Sequence, residues 1–152
     1  RSDEQVHARM VGEVIQAAIA SLPTDAREAL VLRDVEGLDT REAADVVGVD
    51  EAAFKSRLHR ARLQLKQKLG AVLDEGAEVV ECPDLAHELA AYAGSDIDEA
   101  ACARIEAHLA RCPRCTAACE SLKKTVSLCR AIPGGEVPAP VKAAVRGALG
   151  FH

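Results

Sequence analysis

Four side chains able to hold a metal ion fall between residues 82 and 115 of this 152-residue chain: Cys82, His108, Cys112 and Cys115. His108 and Cys112 are four residues apart in a stretch that reads as helix, which sets imidazole and thiolate on one face, a turn apart. Pro113 then ends that helix and turns the chain back, so that Cys115 arrives where Cys112 points. Tetrahedral zinc takes a fourth ligand, and Cys82, before Pro83 at the start of the preceding amphipathic helix, is the best-placed candidate. Burial as small apolar side chains would account for thiols one at a time but not for this spacing. A filled Cys₃His set leaves zinc no open position for water, and no helix carries an acid–base or nucleophile geometry, so an enzyme is not expected.

Three more thiols remain, Cys102, Cys119 and Cys129. Cys115, Cys119, Leu122, Val126 and Cys129 share one helical stripe, and Cys102, Ile105 and Leu109 share another. They read either as core residues or as a second, regulatory metal or redox site. Cys119 and Cys129 lie about 15 Å apart along one helix. They cannot share an ion, and each would need Cys102, His87 or Cys115 as a partner. Thiolates select soft or borderline cations, so Zn²⁺ is the expected resident metal and Cd²⁺ or Cu⁺ candidate signals.

A second chemistry lies upstream. Residues 53–68 hold Lys55, Arg57, Arg60, Arg62, Lys66 and Lys68 and no acid, on a chain of net charge −5. That is a positive stripe on an acidic protein, the footprint of a nucleic-acid contact rather than of indiscriminate binding.

These side chains must be positioned by helices. Half of the chain is apolar but only Phe54, Tyr92 and Phe151 are aromatic, which favours helices packed through aliphatic side chains and an all-α fold. Apolar periodicity predicts helices over residues 3–22 and from Thr24 or Asp25 to about Val35. A third opens at Asp39 with Glu42 completing a capping box, and Gly48-Val49-Asp50 forms the turn into a long fourth helix reaching about Leu73. Short helix, glycine turn and longer basic helix make a helix-turn-helix. Residues 73–81 read as a boundary, giving domains 1–74 and 75–152. Helices over 84–93, 97–111 and 115–131 follow, then a Pro- and Gly-rich linker at 133–140 and a short amphipathic helix at 141–149 that must dock to be stable. No run is long enough to span a membrane and there is no signal-peptide pattern, so a soluble, cytoplasmic protein is expected. The chain opens on Arg1 rather than Met, which suggests a fragment.

Two resemblances sharpen this reading. Cys82, His108, Cys112 and Cys115, with Glu106-Ala107-His108-Leu109, resemble the pattern of zinc-binding anti-sigma domains, in which a helix beyond such a linker packs on the sigma factor. Leu22-Pro23, Leu38-Asp39-Thr40-Arg41-Glu42-Ala43-Ala44 and Lys55-Ser56-Arg57-Leu58-His59-Arg60-Ala61-Arg62 resemble region four of an extracytoplasmic-function (ECF) sigma factor. That resemblance implies binding of the −35 promoter element, with RNA polymerase core as partner. Lys55, Ser56, His59 and Arg60 would lie nearest base edges and phosphates, and Arg41 and Arg62 on backbone. Ala53-Phe54 stands where the family usually has Thr-Val, which removes a hydroxyl contact to phosphate.

The two parts in one chain resemble the CorE-type metal-responsive sigma factors. This implies transcription controlled in cis by metal, through contact between the domains, with oligomer formation left open. Competing readings are a thiol-redox switch, a structural zinc in a protein-interaction module, and an artificial fusion, which the DEGAEVVE junction disfavours. A sigma region two, needed to initiate transcription, is not in the sequence.

Overall fold

The computed structural model describes residues 2–73, 82 and 85–132. Among these there are seven α-helices and no strand: α1 (Ser2–Ala20), α2 (Thr24–Leu30), α3 (Thr40–Val47), α4 (Glu51–Leu73), α5 (Ala86–Ala93), α6 (Glu99–Leu109) and α7 (Pro113–Arg130). The fold is all-α. The expected junction at 74/75, the linker at 133–140 and the terminal docking helix at 141–149 lie outside the described residues.

Local chemistry sets the helix ends of the amino-terminal half. Asp39 Oδ1 accepts from the Glu42 amide at 2.8 Å while the Asp39 amide donates to Glu42 Oε1 at 3.2 Å, the expected capping box. Gly48 ends α3 at φ 77°, a left-handed conformation a β-carbon would strain, and Asp50 Oδ1 caps α4 through the Ala53 amide at 2.7 Å. The turn between the two helices is therefore fixed at both sides. α2 does not stop at Leu30 but widens into a π turn over Val31–Val35, with the Glu36 amide donating to Val31 O at 2.8 Å. That extra residue per turn lets Leu30, Val31, Leu32 and Asp34 all be buried, more than one face of an α-helix allows over so short a run.

Two apolar clusters form around α4. The first joins Ile15, Ile19, Leu30, Leu32, Phe54, Leu58, Leu65 and neighbours from α1 to α4. The second joins Leu89, Ala90, Ile105, Cys115, Ala118, Cys119 and Leu122 from α5, α6 and α7. The clusters trade residues: Leu63 of α4 packs on the second, while Leu128, Cys129 and Ile132 pack on the first.

Around the metal ligands the helix boundaries differ from the sequence expectation. α6 begins at Glu99 rather than 97, because Asp98 Oδ1 accepts from the Ala101 amide at 2.8 Å and acts as N-cap. α7 begins at Pro113, since proline fits the first turn of a helix, where its missing N–H is not needed. Cys112 thus lies off both helices, as the N-cap of α7 at φ −121°, ψ 102°. Pro113 starts a helix rather than ending one.

Candidate metal centre and nucleic-acid interface

The α6–α7 corner brings the four ligands together. His108 lies in the last turn of α6, Cys112 at the cap of α7, and Cys115 in its first turn, while Cys82 approaches from the segment before α5. Thr116 ties the corner, its hydroxyl donating to Leu109 O at 2.9 Å or Cys112 O at 3.0 Å. One donor atom from each of the four residues lies within 4.8 Å of all the others. Cys82 Sγ and Cys112 Sγ are 3.9 Å apart, and His108 Nε2 is 3.2 Å from Cys115 Sγ. A tetrahedron with Zn–S of about 2.3 Å has S···S edges of about 3.8 Å and somewhat shorter S···N edges. The donor set therefore has the dimensions of a tetrahedral zinc site.

The surroundings suit thiolates. The Cys82 amide points at Cys115 Sγ at 3.4 Å, and Arg114 Nη2 at Cys82 Sγ at 3.5 Å. The Cys115 amide, at the α7 amino terminus, holds the Cys112 thiol down to about 6, whereas burial pushes Cys115 up to about 11. One sulfur is ready to ionise and its neighbour is not. A dication would let both ionise, as coordinated thiols do.

The spare thiols are dispersed. Cys129 is fully buried in the first cluster, and burial pushes it up to about 12. Cys119 is buried in the second cluster, and Cys102 is half-buried with its thiol 3.4 Å from Glu106 Oε1. His87 faces the His59 ring at 6.3 Å between centroids rather than any of these thiols. Among the described residues, groups of three or more metal-ligating side chains occur only at the Cys82 centre. Cys115, Cys119, Leu122, Val126 and Cys129 are all buried along α7, and among the described residues they join no second group of three or more ligands.

On the helix-turn-helix, Arg41, Lys55, Ser56 and Arg60 are exposed, as nucleic-acid contacts require. Arg41 and Lys55 line an open cleft of about 480 Å³. The two remaining candidates are covered. His59 is half-buried beneath α5, with no hydrogen-bond partner for Nε2 among the described residues, and burial together with the Arg62 charge lowers it to about 4. Arg62 is fully buried and cannot contact a phosphate in this conformation. Its guanidinium donates to Asp34 through Nε at 2.8 Å and Nη2 at 2.7 Å, and reaches Asp96 Oδ2 at 2.7 Å and Ala90 O at 3.2 Å through Nη1. Burial opposes the charge, but the two carboxylates outweigh it and raise its pKa.

Sequence reasoning missed this junction. Asp34 stands out in the apolar run Ala29-Leu30-Val31-Leu32-Arg33-Asp34-Val35, and a charge there is a signal of a buried partner. Nothing in the spacing identifies that partner as Arg62, 28 residues away.

Comparison with known proteins matches this architecture. Residues 12–65 match the family described as "Sigma-70, region 4", and residues 82–116 match one described as "Putative zinc-finger". The amino-terminal match takes in the helix-turn-helix and the second takes in all four residues of the Cys/His cluster, so the chain is similar to a sigma-70 region 4 followed by a zinc-finger-like segment. The ECF RNA polymerase sigma factor SigE of Mycolicibacterium smegmatis is 41% identical over 76 residues, covering 49% of this chain and 30% of that protein. The ECF RNA polymerase sigma factor SigM of Bacillus subtilis is 40% identical over 60 residues, covering 40% of this chain and 37% of the relative. The RNA polymerase sigma factor CnrH of Cupriavidus metallidurans is 36% identical over 76 residues, covering 50% and 38%. The chain thus spans about a third of the length of these relatives. No solved structure matches it. No helix among the described residues is long and apolar enough to cross a membrane.

Proposed function

We propose that this chain is the promoter-reading part of an ECF sigma factor, recognising a −35 element through α3 and α4 under the control of the zinc-binding domain in the same polypeptide. The observation that carries it is the covering of α4: its exposed edge keeps Lys55, Ser56 and Arg60, while His59, Arg62 and Leu63 lie under the second domain. A domain seated there sets how much of the recognition helix a duplex can reach. RNA polymerase core would be the protein partner, and the chain performs no chemistry of its own.

Cys82, His108, Cys112 and Cys115 would hold the zinc, and the metal would supply the crosslink that ties α5 to the α6–α7 corner. The signal is a soft or borderline cation, Zn(II), Cd(II) or Cu(I), acting at this centre, since among the described residues the spare thiols form no second group of three or more ligands. A redox reading draws on a separate observation, the 3.9 Å approach of Cys82 Sγ to Cys112 Sγ, which an oxidant such as a peroxide would convert to a disulfide with loss of metal. Metal titration under reducing conditions separates the two, because only a metal sensor changes its DNA binding there.

The direct test of the DNA assignment is a pair of variants in the full chain. Arg60→Ala should weaken binding to a cognate duplex by about 1–3 kcal/mol, whereas Glu28→Gln, in α2, should leave it unchanged. Equal binding by both variants would remove the assignment.

A further inference from the structure

The junction around Arg62 joins the two parts of the chain by charge. Asp34 and Arg33 come from the π turn, Arg62 from α4, Asp96 from the turn after α5, and Arg130 from the end of α7. Asp96 takes both arginines: Arg33 donates to its Oδ1 through Nε at 3.2 Å and Nη2 at 2.7 Å, and Arg62 Nη1 lies 2.7 Å from Oδ2. Arg130 Nη2 donates to Gly94 O at 3.1 Å.

The turn is shaped for this grip. Ser95 adopts φ 61°, the left-handed region a non-glycine residue rarely occupies, and the Asp96 amide bonds back to Ala91 O at 2.8 Å. Gly94 packs so closely on the Arg62 guanidinium that a β-carbon there would collide with it. The same turn lines the cleft, where Asp96 and Asp98 share the opening with Arg33, Arg41 and Lys55 and with the carboxylates of Asp39 and Glu51. Carboxylates thus sit where a region-4 helix-turn-helix would meet phosphate.

We infer that the turn at residues 94–98 is a built-in competitor for the DNA backbone, with Asp96 as the latch that holds Arg33 and Arg62 and closes the second domain over α4. This rests on the DNA-binding function proposed above and adds the surface and chemistry by which that function is restrained. Phosphate and the Asp96 carboxylate compete for the same guanidinium chemistry, since both accept paired N–H donors from arginine. Opening leaves Arg62 bonded to Asp34, so the region-4 core keeps its own ion pair.

The test uses the full zinc-loaded chain and a short mixed-sequence DNA duplex, because phosphate contact does not depend on sequence. Asp96→Asn removes the charge at nearly constant shape, and Gly94→Ala breaks the same contact by sterics without changing charge. Glu120→Gln, an exposed acid on α7, makes the same charge change away from the turn. Asp96→Asn and Gly94→Ala should bind the duplex at least about tenfold tighter than wild type, with a steeper salt dependence, and Glu120→Gln should not. Deuterium uptake over residues 57–65 and 86–93 should rise in the first two variants alone. Unchanged uptake and binding in both variants, or an equal gain from Glu120→Gln, overturns the latch. Uptake that rises while duplex binding stays flat keeps the docking contact and instead contradicts the DNA-binding function beneath it.

Discussion

The metal centre and the Arg62 junction treat charge in opposite ways. At the junction, Arg33 and Arg62 meet Asp34 and Asp96, and each buried charge has an opposite partner within hydrogen-bonding distance. At the metal centre three sulfurs and an imidazole converge, with Arg114 donating towards Cys82 Sγ, and burial raises Cys115 while the amide at α7 lowers Cys112. One cluster is electrically complete as protein. The other is a set of donors that a cation from outside would complete, so on the proposed reading folding around the Cys/His cluster is linked to metal.

The largest effect expected from this contrast is at the ligands. Cys112→Ser should drop zinc from about one equivalent per chain to near none and lower helicity in the second domain, because structural zinc contributes directly to folding. Elemental analysis and circular dichroism check it, and full zinc retention would break the contrast at its metal side. At the junction, Asp34→Ala leaves Arg62 buried with one carboxylate fewer, which should destabilise the chain by about 3–5 kcal/mol in denaturant unfolding with zinc stoichiometry unchanged. Loss of zinc in that variant would show that the two regions are not separable.

A pH effect follows from His59. Its folded pKa of about 4 lies below the ordinary histidine value of 6.5, so the unfolded or opened form binds more protons between these values. Stability from the neutral, buried ring is fully present above about pH 6.5 and is lost as pH falls through that window towards 4. His59→Gln should flatten this part of the stability–pH curve. A slope identical to wild type would place the titration elsewhere.

The smallest expected effect concerns Cys129. Cys129→Ala should cost about 1 kcal/mol, measured by denaturation, and leave metal stoichiometry at one, as befits a core thiol. Loss of a metal equivalent would revive the second site.

How much of this was legible in the sequence follows from chain separation. The His108–Cys112–Cys115 spacing, the Asp39 capping box and the Gly48 turn are local, and a periodicity argument reaches them. The cap at Asp98 is equally local, but in sequence the turn at Gly94-Ser95-Asp96 leads directly into the helical pattern, which hides the two extra residues before α6. Arg62 was out of reach for another reason. Its neighbours Arg57 and Arg60 made it one more cation on a basic face, and only the packing of α5 against α4 buries it while Arg60 stays exposed. A helical stripe shows which residues share a face but not which face a second domain will cover.

The claim that the metal completes this fold is tested most directly by X-ray absorption at the zinc edge of the purified, reduced chain. The account predicts one zinc per chain with three sulfurs at about 2.3 Å and one nitrogen at about 2.0–2.1 Å, the set of Cys82, Cys112, Cys115 and His108. Oxygen ligands in place of sulfur, or a chain that folds fully with no bound metal, would contradict it.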